Sequence, residues 1–438
     1  MEHVDLLIFP QWLIPVEPTG TVLTEHALAV RDGVIVDRLP ARDARERYTA
    51  TKVQDLPGHA LIPGLVNAHT HAAMTLLRGL ADDLPLMTWL ARHIWPAEQR
   101  HVSAEFVQHG AELGIAEMIR GGTTCFSDMY FFPEITARAA SRAGMRVVAG
   151  MIVIDFPSAW ASGPKEYLSK GLDLHDAWRN DPLVSTLFAP HAPYTVADEV
   201  LQQVQVLAHE LDVPVHIHLH ETAAEVQQAV SEHGERPFER LRRLGLISPD
   251  LIAVHMTQLR DDEIACLADA GAHVVHCPES NLKLASGFCP VAKLRAAGVN
   301  VALGTDGAAS NNDLDMLGEM HTAALLGKAV ANDAAALPAA EVLHMATLGG
   351  ARALRLDERI GSLEPGKDAD LVAIDLGAPE STPVYNPISQ IVYSASRHQV
   401  RHVWVAGRHL LNDRALTTVD VNSVSRQAAA WRDRISPN

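Results

Sequence analysis

The sequence predicts an α/β protein built on a TIM-like (β/α)8 barrel, with a small β-domain assembled from the two chain ends. Three observations point there. From Leu61 to about Leu303, short apolar runs alternate with amphipathic stretches of helical period, the pattern of parallel strands joined by helices. Eight such runs can be counted, enough to close a barrel. About 60 residues before this region and about 75 at the other end lack the alternation and carry short strand-like runs separated by turns.

In chain order, Val4 to Phe9, Ala27 to Val30, Val34 to Val36 and Lys52 to Leu56 read as the amino-terminal short strands. The barrel strands are expected near Leu61 to Asn67, Thr123 to Ser127, Arg146 to Ile154, Leu183 to Ala189, Pro214 to Leu219, Leu251 to Val254, His273 to His276 and Asn300 to Gly304. Between them, Ala197 to Leu211 places Val200, Val204, Leu207 and Leu211 on one helical face, and Asp262 to Ala270 is a second such segment. Glycines at Ala143-Gly144, Ala270-Gly271 and Ala297-Gly298 suit helix ends that lead into a strand. Past the barrel, Ile360 to Asp370 is a turn-rich entry to a strand at Leu371 to Ile374, and His402 to Val405 precedes a turn at Ala406-Gly407-Arg408.

Composition narrows the function classes. The 438 residues are 47% hydrophobic and 20% charged, as in a soluble globular protein, and no run is apolar for long enough to cross a bilayer. A net charge of −17 without a basic stripe opposes binding to nucleic acid, so a small-molecule substrate is expected, with neither a nucleic-acid nor a membrane partner. The start, Met1-Glu2-His3-Val4-Asp5, has no basic stretch leading into an apolar one, so a cytoplasmic location is expected. Cys125, Cys266, Cys277 and Cys289 are too scattered for a disulfide framework, and without a Cys-x-x-Cys the zinc deaminases that use paired cysteines are excluded.

The chemistry collects at the carboxyl ends of the apolar runs. His69 and His71 are two apart at the end of the first barrel strand, so both rings can face one ion. His216, His218 and His220 end the fifth run before Glu221, His255 ends the sixth, and Asp306 ends the eighth in Gly304-Thr305-Asp306. A lone histidine at such a place is ordinarily a hydrogen-bonded core residue. The conjunction at one end of a barrel instead describes a nitrogen and oxygen site for a divalent ion, with room left for water. Zn²⁺ is expected and Fe²⁺ is the second choice, one ion per subunit, because the fourth run ends at Ala189-Pro190-His191 with no lysine to bridge a second metal. The three histidines of the fifth run share a face, so the residues alone leave open which of them ligates, and the others are expected to support it.

An ion of this kind acidifies a water molecule, and Asp306 could take its proton. His255 is set to hydrogen-bond the attacking or developing oxygen, while Glu221 could protonate a ring nitrogen and make an aromatic carbon bearing an amino group attackable. Those parts amount to hydrolytic deamination.

Over essentially the whole chain these residues resemble the amidohydrolase superfamily. Pro63 to Gly79 (PGLVNAHTHAAMTLLRG), His216 to Thr222 (HIHLHET), His276 to Gly287 (HCPESNLKLASG) and Gly304 to Asp313 (GTDGAASNND) resemble its 5′-methylthioadenosine/S-adenosylhomocysteine deaminases. The resemblance implies a composite β-sandwich from residues 1–60 plus 361–438 and a catalytic barrel over 61–360. It implies His69, His71, His218 and Asp306 as ligands, with Glu221 and His255 beside the reacting atoms. It also implies Glu98 on the ribose hydroxyls, His191 against the substrate, Ser310 positioning the adenine or a neighbouring group, and a homo-oligomer. Trp160, in the long loop after the third strand, is a candidate for packing on the alkylthio or purine part.

The expected substrate is 5′-methylthioadenosine, with adenosine and S-adenosylhomocysteine as secondary ones. No arginine pair stands between Met151 and Pro190 for the homocysteine carboxylate, where only Arg179 and Lys165 are candidates. The rival readings are an s-triazine hydrolase or a guanine or cytosine deaminase on the same scaffold, and outside enzymes an assembly protein of this fold. Glu98 tilts against a sugar-free ring, and the intact ligand set tilts against an assembly protein.

Overall fold

The computed structural model describes residues 1–436 of the chain. Eight parallel strands lie side by side in chain order: Leu65–Thr70, Thr123–Asp128, Arg146–Val153, Val184–Pro190, Val215–Leu219, Leu251–His255, His273–His276 and Asn300–Leu303. A parallel bridge between Thr70 and Asp306 brings the last strand back to the first, so the sheet closes. The strands are buried along nearly their whole length, which is why they read as continuous apolar runs rather than alternating ones. The expected helix ends also hold: Gly144 and Gly271 cap their helices in the left-handed conformation.

The two chain ends share a second sheet. Its order is Ala415–Leu416, Arg408–Asn412, Val400–Val405, Leu371–Asp375, Tyr48–Pro63, Glu2–Leu13, His26–Arg31 and Val34–Pro40. The join lies where Leu371 pairs antiparallel with Pro63, and Glu2–Leu13 runs parallel on the other side of the same long strand. Leu6, Ile8, Leu28, Ile35, Leu371 and Trp404 pack there into a core separate from that of the barrel.

Two boundaries differ from the sequence reading. Leu61 to Pro63 belong to the second sheet, and the barrel begins only at Leu65. Gly64 makes the break: a Cβ there would lie 1.9 Å from Thr124 Oγ1, so only glycine lets the chain pass from one sheet to the other at this point. The last residues are not all strand, since Val421–Ile435 is a helix that seats Trp431 against Phe106 and donates its indole N–H to His109 Nδ1 at 3.0 Å.

Buried Arg146 ties the barrel to the second sheet. Its guanidinium reaches Asp368 at 3.0 Å and Asp370 at 3.2 Å and donates to the Pro182 carbonyl. Asp370 in turn accepts from the Ala406 N–H. No helix among the described residues is long and apolar enough to cross a membrane.

Candidate metal centre and its cavity

The carboxyl ends of the barrel strands open into a cavity of about 820 Å³, within the size of pockets that bury a small ligand. At its base, one ligand atom each from His69, His71, His218 and Asp306 lies within 4.8 Å of all the others. His69 belongs to the first strand, His71 follows it by one residue, His218 lies in the fifth strand, and Asp306 comes just after the eighth.

The spacing fits an ion. His69 Nε2 stands 3.4 Å and His71 Nε2 3.1 Å from Asp306 Oδ1, and His69 Nε2 is 3.2 Å from His218 Nε2. A tetrahedral zinc with bonds near 2.0 Å has edges of about 3.3 Å. The other ring nitrogens are engaged: Nδ1–H of His71 donates to the Met129 carbonyl at 2.5 Å and that of His218 to the His191 carbonyl at 2.7 Å. His69 Nδ1–H donates to His216 Nε2 at 3.0 Å, and His216 Nδ1 faces Ser127 Oγ at 3.2 Å. In each ring Nε2 is therefore the nitrogen turned toward the centre, where an ion would take its lone pair.

The electrostatics call for a cation at the same point. Burial alone would raise the Asp306 carboxyl, but the His69 and His71 rings against it hold it well below the ordinary range, so it stays ionised. Burial drives His69 down to about 4 and His218 well below its usual value. Burial works against charge on His71 as well, yet the Asp306 carboxylate overrides it and holds that ring up to about 9. Without an ion, the proton on His71 is the positive charge that offsets Asp306.

Supporting contacts fix each group. Asp306 Oδ2 accepts from Ser280 Oγ at 2.6 Å and Ser310 Oγ at 2.9 Å, which leaves Oδ1 for the centre. His255 sets Nδ1 against Asn281 Oδ1 at 2.9 Å, and its Nε2 lies 3.9 Å from Glu221 Oε2. Burial keeps His255 neutral. Burial and then the Asp306 charge push Glu221 up to about 8, so it is protonated at neutral pH. Its backbone is held at the N–H by Glu225 Oε2 at 2.7 Å and at the carbonyl by Thr257 Oγ1 at 2.7 Å. Tyr130 donates its hydroxyl to Glu98 Oε1 at 2.6 Å, and burial pushes Glu98 up to about 6.

Glu98, His191, Glu221, His255 and Ser310 all line the cavity together with His71, His218 and Asp306. Trp160 does not: its ring is buried against Tyr167, 5.6 Å between centroids, because the loop after the third strand turns it inward. The aromatic lining comes from Trp89, Trp95, Tyr130, Phe131, Phe156 and Tyr194 instead. His216 and His220 occupy supporting places, His216 behind His69 and His220 accepting the Phe238 N–H at 3.2 Å. Sequence reasoning did not assign Tyr130, Ser280, Asn281 or Glu225. Thr222-Ala223-Ala224-Glu225 carried a usable signal, the Thr-x-x-Glu spacing of a capping box, and Thr222 Oγ1 does accept the Glu225 N–H.

Comparison with known proteins agrees with the fold and the centre. The amidohydrolase family pattern matches residues 60–410. A 5-methylthioadenosine/S-adenosylhomocysteine deaminase of Teredinibacter turnerae is 50% identical over 99% of this chain and 98% of its own length. One from Saccharophagus degradans is 51% identical over 98% of this chain and 97% of its own. The crystal structure of an adenosine deaminase from Xanthomonas campestris with bound zinc is 56% identical, with a TM-score of 0.98 and 99% of each chain covered. An atrazine chlorohydrolase from Arthrobacter aurescens shares the fold at a TM-score of 0.90, covering 97% of this chain and 99% of that one, with 22% identity. The chain belongs to the amidohydrolase family.

Proposed function

We propose that this member of the amidohydrolase family is a zinc-dependent hydrolytic deaminase acting on 5′-methylthioadenosine, yielding the inosine derivative and ammonia. One observation carries the reading: three imidazole nitrogens and Asp306 Oδ1 converge on one point, within reach of a single ion, beside a protonated Glu221 and a neutral His255. The names of the relatives and the zinc of the Xanthomonas campestris structure support it.

His69, His71, His218 and Asp306 would hold the ion, which when bound supplies a Lewis acid that brings water toward ionisation at neutral pH. The protein residues then divide the proton traffic. Glu221 gives its proton to a purine ring nitrogen, drawing electrons from the carbon that carries the amino group. His255, neutral and steered by Asn281, orients the attacking oxygen through Nε2. Asp306, its second oxygen occupied by Ser280 and Ser310, receives one proton of the nucleophile and relays it to the departing amino group, and the other returns to Glu221 as the ring carbonyl forms.

Glu98, aimed by Tyr130, accepts hydrogen bonds from the ribose hydroxyls, and His191 closes the wall beside His218. A carboxylate placed for a sugar argues against an s-triazine substrate, which has none. The test is direct. Zinc-loaded protein should release one ammonia per 5′-methylthioadenosine, and His69→Ala should lose metal and turnover together. A fully zinc-loaded enzyme that deaminates no adenosine derivative would overturn the reading.

A further inference from the structure

One wall of the cavity is built by a capping segment, the successive helical turns Leu86–Trp89, Leu90–Ile94 and Trp95–His101, and by one loop. Leu86, Trp89, Leu90 and Ile94 of the capping segment face inward, and Ile154 and Phe156 follow the third strand. Spacings of three, four and eight residues put one apolar stripe on the inner face of that segment. A π-helical turn over Leu90–Ile94 adds a residue to the register and brings Glu98 onto the same face, so stripe and carboxylate form one wall.

The ionisable groups on the cavity are carboxyls, imidazoles and two phenols. Glu98, Glu221 and Asp306 are its acidic members, and among the described residues no lysine or arginine lines it. The nearby cations are turned elsewhere. Lys165 and Arg92 are exposed, Arg179 stands 3.9 Å from Asp176 at the outer end of its helix, and Lys170 pairs with Glu166 at 2.7 Å. Lys283 is tied to Asp82 and Asn312.

Resting on the deaminase reading, we propose that this stripe is the site of the 5′-substituent and that it selects uncharged alkylthio groups over the zwitterionic end of S-adenosylhomocysteine. With the purine at the metal centre and the ribose on Glu98, the 5′-group continues along the stripe. Added methylenes there gain apolar contact with Trp89, Leu90 and Ile94. A carboxylate at the same place loses its water and meets neither a lysine nor an arginine.

The experiment compares kcat/KM for 5′-methylthioadenosine, 5′-butylthioadenosine and S-adenosylhomocysteine on the zinc enzyme. Equilibrium binding of the same three to Glu221→Gln is measured alongside. The butylthio compound should fall within about 10-fold of the methylthio one, and S-adenosylhomocysteine should be poorer than the butylthio compound by about 100-fold or more in both measurements. Phe156→Arg, at a side chain 43% exposed and so tolerant of a polar replacement, should raise the ratio of S-adenosylhomocysteine to 5′-methylthioadenosine by about 10-fold. Comparable use and binding of the homocysteine and butylthio compounds by the unaltered enzyme would overturn the proposal while leaving the deaminase reading intact. Absence of turnover and binding for all three would remove both.

Discussion

His216 touches neither cavity nor ion, yet its replacement should weaken metal binding. The ring is fully buried, and its Nε2 accepts the Nδ1–H of His69 at 3.0 Å. That bond selects the tautomer of His69 whose Nε2 is bare. Phenylalanine at position 216 preserves a ring of similar bulk but offers no acceptor, so His69 can keep a buried N–H unpaired at a cost of about 1–3 kcal/mol. Alternatively it can move the proton to Nε2, where ligation must displace it. Either route weakens the ion by a similar amount, and loss of such a partner ordinarily lowers metal affinity by about 10–100-fold, or about 1.4–2.8 kcal/mol. Competition for zinc against a chromophoric chelator measures this, with thermal unfolding of the metal-free proteins run in parallel. His216→Phe should raise the zinc Kd within that range, and His216→Gln, which restores an oxygen acceptor, should recover part of it. A Kd within about twofold of the parent for the Phe variant, or no advantage of Gln over Phe, would refute the tautomer argument.

Four other outcomes follow from the structure. Glu221→Gln should keep its zinc and lose turnover by about 10²–10⁴-fold. Because Glu221 is pushed up to about 8 and its protonated form is the active one, kcat/KM should fall as pH rises through that pKa. A bound cation offsets the Asp306 contribution, so in a pH–rate profile this limb should lie at or below pH 8 and be missing from the Gln variant. Glu98→Ala should cost ribosides about 10–100-fold in kcat/KM and leave free adenine unchanged, since a hydrogen bond to a charged group contributes about 1.5–3 kcal/mol, and equal losses for nucleoside and base would remove the ribose role. Arg146→Met should destabilise the fold by about 3–5 kcal/mol in denaturant titration, because the Asp370 side chain, in a residue only 2% exposed, loses its guanidinium partner.

Much of the centre was legible because a barrel converts chain position into spatial position. Each strand delivers its carboxyl end to the same mouth, so His69, His218, His255 and Asp306 could be brought together from the ends of separate apolar runs. What stayed hidden depends on contacts between elements. The side chains of Ser280 and Asn281 lie in the quoted stretch His276 to Gly287, but nothing local says that one reaches Asp306 and the other His255. Tyr130 becomes meaningful only when the capping segment lays Glu98 against it. Trp160 misled for the converse reason: its loop has room to turn it either way, and burial against Tyr167 prevails. The first barrel strand was placed too early because the apolar run Leu61 to Val66 serves two sheets, and the switch at Gly64 reflects the bulk of Thr124, a residue distant in sequence.

The backbone at the mouth shows why these ends hold working groups rather than ordinary turns. His220, His255 and Asp306 have φ of 52°, 75° and 61°, in the left-handed region that costs a residue with a side chain about 1–3 kcal/mol. Each is held there by its surroundings. The Asp306 N–H donates to the His69 carbonyl, the Thr257 N–H to the His220 carbonyl, and Met256, next to His255, to the Leu219 carbonyl. An extended strand would keep alternating its side chains between the interior and the helical layer. The left-handed turn breaks that alternation at the strand end, and the chain leaves the sheet with Asp306 and His255 lining the cavity. Glu221, just beyond the turn at His220, lines it as well. The strain is thus an outcome of putting acid, imidazole and carboxylate around one point, and the hydrogen bonds between neighbouring strands are what keep it from relaxing.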